Sequence, residues 1–185
     1  MQTNISPFPL LLLLFWICIG ITLLTATAMM LVGKSFSQKT DGNTPFTMMQ
    51  LEFAPTKEFI LTAYKNAGGR ARFDLAMQLG LDYCFMLGAY YAPALLCFMT
   101  SYHHPVHLIE VTGIALACLQ PVAHLCDCIE NVYLYQYYVN PAFNAPFLLY
   151  KFLVRLKWTL VTAGALFAIG LVIYNRIQYG HCFFY

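Results

Sequence analysis

Four apolar runs, at residues 9–31, 75–101, 108–138 and 152–174, set the terms on which this chain can fold. A helix needs about 20 apolar residues to cross the hydrocarbon core of a bilayer. A backbone in lipid must also satisfy its own hydrogen bonds. The expected fold class is therefore all-α: a polytopic integral membrane protein with four transmembrane helices in one bundle, its 185 residues forming a single membrane domain. Composition agrees, since 60% of the residues are hydrophobic and 10% charged, against roughly 25% charged in soluble domains. The first run has no Lys or Arg ahead of it and is longer than a signal-peptide core, so it reads as an anchored span rather than a cleaved leader. Pro121 in the long third run and Pro93 in the second each remove a backbone donor and mark places where a helix can kink.

The sizeable soluble piece is the loop at residues 33–74. Its first half, with Lys34, Ser35, Ser37, Gln38, Thr40, Asp41, Gly42 and Asn43, reads as a linker. In the second half Pro55 stands at a helix start, Phe59, Ile60, Ala63, Tyr64 and Ala67 recur at helical spacing, and Gly68 and Gly69 follow. That pattern predicts a short amphipathic helix over about 55–67, placed at the headgroup boundary or capping the bundle. Tyr133, Tyr135, Tyr137 and Tyr138 near the end of the third run read as an interfacial aromatic belt. Lys34, Lys39, Lys57, Lys65, Arg70 and Arg72 lie in the first loop, and Lys151, Arg155 and Lys157 around the start of the fourth run, leaving Arg176 on the other side. The positive-inside rule then makes the first and third loops cytoplasmic and puts both termini outside.

The segment from Gln120 to Asn131 carries the chemistry. At about 100° per residue, Gln120, His124, Asp127 and Asn131 fall within roughly 60° of one another, with Glu130 on the flank. Glu110, Gly113 and Ala117 continue the same face, so it is expected against other helices rather than lipid. Asp82 in the second run and Lys157 in the fourth lie at a matching depth, with Arg155 a second candidate cation. Asp82, Gln120, His124, Asp127, Glu130, Asn131 and Lys157 are thus a candidate intramembrane polar cluster, because buried charges need partners. Two readings stay open: a network that fixes helix register, or a site that binds a polar ligand or passes protons, three carboxylates exceeding one deep cation.

Two other groupings are weaker. His103, His104 and His107, with Glu110, sit between the second and third runs, and His181 and Cys182 in the tail share that side, but no standard zinc or copper spacing appears. They are candidate metal ligands only in residue type, the plainer reading being interfacial histidines in a tight turn. Cys126 and Cys128 point about 200° apart on a helix and cannot easily bridge, and seven cysteines, mostly in apolar runs, give no disulfide framework. A net charge of +2 gives no ground for nucleic acid as a partner. Phosphate-binding glycine loops, nucleophile elbows and the His-Glu-x-x-His signature are missing from the sequence.

Leu51-Glu52-Phe53-Ala54 before the loop helix, Asp82 early in the second span, Asp127-Cys128-Ile129-Glu130-Asn131 in the third and Lys157-Trp158 in the fourth, taken in order, resemble a group of uncharacterised bacterial four-span integral membrane proteins with an Asp-x-x-Glu-Asn motif in the third span. The resemblance covers about residues 48–175 and implies a multi-pass helical bundle of the bacterial inner membrane, with no activity or cofactor attached to it. The expected partners are the lipid bilayer and a homo-oligomer or larger membrane complex. The function expected first is a non-enzymatic accessory subunit or small oligomeric carrier. Its rival is a membrane-embedded enzyme acting on a lipid, isoprenoid or quinone, with Asp127 or Glu130 and His124 as acid and base.

Overall fold

The computed structural model describes residues 8–37 and 45–179. The described residues form helices α1 (Phe8–Ser37), α2 (Met48–Glu52), α3 (Lys57–Asn66), α4 (Gly69–Ser101), α5 (His107–Val139) and α6 (Phe147–Tyr179), without strands. Four of them, α1, α4, α5 and α6, are long and apolar enough to cross a membrane. The 33 residues of each of α4, α5 and α6 make about 50 Å of helix, more than the roughly 30 Å of hydrocarbon. That excess explains why the helices outrun the apolar runs. α4 starts at Gly69, not at residue 75, and carries Arg70, Arg72 and Asp74 on its first turns, where Arg70 and Asp74 pair at 3.7 Å across one turn. α1 likewise continues through Lys34, Ser35 and Ser37, residues assigned above to the linker, while the linker's Gln38, Lys39, Thr40, Asp41, Gly42 and Asn43 lie outside the described residues. Pro93 and Pro121 sit within helices assigned without interruption.

The loop holds two helices where one was expected. Thr47 opens α2 with a capping box: its hydroxyl accepts from the Gln50 N–H at 3.3 Å and its own N–H donates to Gln50 Oε1 at 2.9 Å. Five residues are too few to show an apolar period, so α2 left no signal of that kind. Thr56 caps α3 by accepting from the Phe59 N–H at 3.3 Å, which puts Pro55 before the cap rather than in the first turn. α3 ends at Asn66, and Gly68 is the N-cap of α4. The glycine pair therefore opens the second span.

α4, α5 and α6 pack against one another, and α1 packs chiefly on α4. Gly88 is what lets α1 come so close: a Cβ there would lie 2.2 Å from Thr22 Oγ1 and 2.4 Å from the Cys18 carbonyl oxygen. At the other side of the bundle α2 and α3 fold back over the helix ends, burying Leu51, Ala54, Ile60 and Tyr64 with Leu75, Leu79, Leu134, Tyr150 and Val154 in one core. Tyr150 Oη donates to the Leu51 carbonyl at 2.8 Å, and Lys57 Nζ donates to the Phe143 carbonyl. Two of the four tyrosines read as an interfacial belt belong to this core: Tyr133 and Tyr137, one turn apart on α5, are buried under the cap, whereas Tyr135 is exposed. The loop is thus a cap, and the end of the bundle it covers is the more densely cored one.

Candidate functional site

Beneath the cap, Lys157 projects from α6 into the seam between α5 and α2 and is 3% exposed. Spacings of three and four residues on α5 turn Asp127, Glu130 and Asn131 toward it and toward α4. Lys157 Nζ donates to Asp127 Oδ1 at 2.6 Å and lies 3.2 Å from Glu52 Oε2 at the end of α2. Glu130 Oε2 is 2.7 Å from the same nitrogen, an ion pair set off the direction of a hydrogen bond, and Glu130 Oε1 has no partner. Two of the three carboxylates are held from behind by a second group. Tyr90 on α4 donates to Asp127 Oδ2 at 2.7 Å, and the Trp158 indole donates to Glu52 Oε2 at 3.0 Å. Beside them Asn131 Nδ2 donates to Asp82 Oδ2 at 2.7 Å, which joins α4 to the group.

The structure therefore brings together Asp82, Asp127, Glu130, Asn131 and Lys157, and adds Glu52, Tyr90 and Trp158. It keeps two members of the expected cluster apart. Gln120 shares the buried face of α5 but stands ten residues before Glu130, about 15 Å along the helix. There it donates to the Leu160 carbonyl at 3.1 Å, in a notch left by Gly164, where a Cβ would lie 2.3 Å from its Nε2. His124 is half-buried with its ring between those of Tyr90 and Tyr91, at 5.8 and 5.7 Å, and its Nδ1 has no partner. It reaches the cluster only through Tyr90. Arg155, the second candidate cation, is exposed.

Glu52 and Trp158 were legible only as letters in the resemblance, since nothing local says that a loop carboxylate reaches a lysine 105 positions later in the sequence. Tyr90 gave no signal in a run already rich in aromatics. Chemically the cluster sets four carboxyl groups against one ammonium. In so dry a setting isolated charge costs several kcal/mol, so charge balance rests on protons or cations taken up by the group.

At the opposite end of the bundle His103 and His107 are exposed and each faces Glu110, at 3.9 and 3.8 Å. His103 takes a left-handed turn, φ 59°, that lets its own N–H donate to Glu110 Oε1 at 3.1 Å. His104 instead turns inward, its Nδ1 accepting from the Val106 N–H. Among the described residues no three His, Cys, Asp or Glu side chains are arranged to hold a metal ion; His181 and Cys182 lie outside those residues. Compared with known proteins, the chain matches no family model, and neither a curated protein nor a solved structure is significantly similar to it.

Proposed function

We propose that the protein is a non-enzymatic membrane module, an accessory subunit or small oligomeric carrier of a bacterial inner membrane, in which the Lys157 cluster clamps the α2–α3 cap onto the bundle. The observation that carries this reading is the saturation of Lys157: all its charge faces three carboxylates, from α2 and α5, and two of these, Asp127 and Glu52, are in turn bound by Tyr90 and Trp158. An ammonium engaged in this way is a structural tie and is not poised for a substrate. The weight of Lys and Arg in the first and third loops supports a cytoplasmic cap with both termini outside. A second reading, an enzyme acting on a lipid, isoprenoid or quinone, draws support from the nearness of His124, whose ring lies 5.8 Å from that of Tyr90, to Asp127, which accepts from the Tyr90 hydroxyl.

Asp127→Asn separates the two. The module reading expects this variant to lose its oligomer or its co-purifying partner, measured by mass in native nanodiscs, in step with loss of thermal stability. An Asp127→Asn protein that keeps its stability and assembly but loses turnover of a lipid or quinone substrate would overturn the reading in favour of the enzyme.

A further inference from the structure

On the outward seam between α4 and α5, two polar side chains stand at a depth where lipid tails would surround them. Tyr91, 37% exposed, lies just past the centre of the apolar run 75–101, and His124, half-buried, just past the centre of the run 108–138. At 1.5 Å of rise per residue, both fall within about 5 Å of the middle of their spans. Their rings meet edge to face at 5.7 Å, so they share one level. Tyrosines of membrane helices collect at the interfaces, where the hydroxyl reaches water; Tyr91 is far from either. Its hydroxyl makes no hydrogen bond among the described residues. His124 Nδ1 is closed off without a partner, and Nε2, the nitrogen left reachable, makes no hydrogen bond there either. Hydrocarbon offers neither group a partner.

Depth narrows what can satisfy them. Lipid phosphates and bulk water stay about 15 Å away, at the edges of a hydrocarbon layer roughly 30 Å thick. A polar group at the middle arrives on another helix or on a lipid-soluble ring. A second copy of the chain meets the requirement exactly at this level, because a two-fold axis along the membrane normal returns every residue at its own depth. Phenol and imidazole each donate and accept. Tyr91 of one copy therefore stands level with His124 of the other, and the pairing occurs twice. The neighbouring surface suits close approach. Gly80, Cys84 and Tyr91 fall within roughly 40° of one another around α4. Gly80 is exposed and a Cβ there would meet nothing within 4 Å, whereas Gly88, which receives α1, is turned about 80° away. An open glycine admits a facing backbone. A lipid-soluble ring bonded at Tyr91 would leave Gly80, about 16 Å nearer the cap, without a role.

We propose that the α4–α5 seam is the interface with a second copy of this chain, a parallel two-fold dimer in which each Tyr91 hydroxyl bonds the other copy's His124 and the two Gly80 flanks face each other. The interface rests on the module reading given above and supplies its oligomeric form with a surface and a symmetry.

The test counts subunits of the full chain in liposomes as the protein-to-lipid ratio is lowered. The parent should be dimeric at high ratio and separate on dilution. Tyr91→Phe keeps the ring against His124 and removes only the hydroxyl, so the thermal midpoint of the chain should stay at the parent's while dissociation shifts by roughly tenfold, the size of two interhelical bonds. His124→Leu should shift it as much, and the double variant no further than either alone. Oxidation by copper phenanthroline reports the face: two chains should be linked through Cys84, exposed on the proposed flank, and not through Cys118, exposed about 120° round α5 from His124. A chain that stays single at every ratio overturns the interface, as does a dimer that both Tyr91→Phe and His124→Leu leave at the parent's strength, or one linked through Cys118. A single chain carrying one quinone that His124→Leu releases gives the seam to a lipid-soluble ligand and overturns it likewise. A single chain that still co-purifies with a different protein sinks the dimer alone and leaves the accessory-subunit form of the module in place.

Discussion

α1 and α5 are both long enough to cross a bilayer, and they are held in place by opposite means. The most apolar stretch of α1 has a mean hydropathy of 2.4 and none of it is buried in the protein. It meets the bundle along α4, where Gly88 admits the backbone at Cys18 and Thr22. α5 is less apolar, 1.5 over its best stretch, yet it carries Gln120, Asp127, Glu130 and Asn131 inward and bonds through them to α4 and α6 and, through Lys157, to the cap. In lipid, apolar contact between helices gains little over contact with lipid tails, so what fixes neighbours is close steric fit or polar bonding. α1 uses the first and α5 the second. Steric fit tolerates sliding and separation, whereas a charge network has few geometries in which every member is satisfied.

The sharpest way to break this contrast is to remove the cation on which the α5 side depends. Lys157→Met leaves Asp127 and Glu130 buried without their partner, an arrangement that costs about 3–5 kcal/mol. Its thermal midpoint in detergent should fall far below the parent's. Combining it with Asp127→Asn and Glu130→Gln should restore much of the loss, because neutral groups need no counter-charge at that depth. A Lys157→Met protein as stable as the parent would mean that the charges are dispensable and that α5, like α1, is held by shape.

That difference also explains what the sequence could disclose. The four spans were legible because hydropathy reports immersion in lipid, and each apolar run maps onto one long helix. The inward face of α5 was legible because helical periodicity alone aligns Asp127 with Asn131. Periodicity gives direction and not distance, which is why Gln120 and His124 shared the stripe without sharing the cluster. Glu52 and Trp158 stayed hidden because their meeting depends on how the cap folds back, a contact between distant parts of the chain. The Gly88 notch was hidden for a related reason: a glycine in an apolar helix is common, and only the facing backbone of Cys18 and Thr22 gives it meaning.

A moderate effect is expected at that notch. In Gly88→Ala the new methyl would meet Thr22 and the Cys18 carbonyl at distances no side chain adopts, so α1 must move away from α4. Overpacking of this kind costs about 1–3 kcal/mol. The displacement should stay local: Cys18, now half-buried against α4, should react faster with a maleimide, while Cys97, buried and donating to the Gly164 carbonyl at 3.2 Å, should keep its parent rate. Equal acceleration of both thiols would show that α1 and the core move as one unit, and the contrast between the helices would fail.

The smallest effect tests how far the clamp reaches outward. Thr47→Ala removes the hydroxyl that accepts from the Gln50 N–H, and with it half of the capping box that starts α2. A lost cap of this type costs about 1 kcal/mol. α2 is one turn and a half long, so fraying at Thr47 propagates to Glu52, whose carboxylate then leaves Lys157 and the Trp158 indole. Glu52 is the most exposed of the three carboxylates around Lys157, 17% against 6% for Asp127 and none for Glu130, so its departure removes the weakest arm and leaves the other two in place. In a Trp16→Phe background, where Trp158 is the remaining tryptophan, the indole emission should shift on Thr47→Ala while the thermal midpoint drops only slightly. An unchanged Trp158 emission would show that Glu52 is held by the core packing of Leu51 and not by the cap at Thr47. The clamp would then begin at α5 and α6, without the loop.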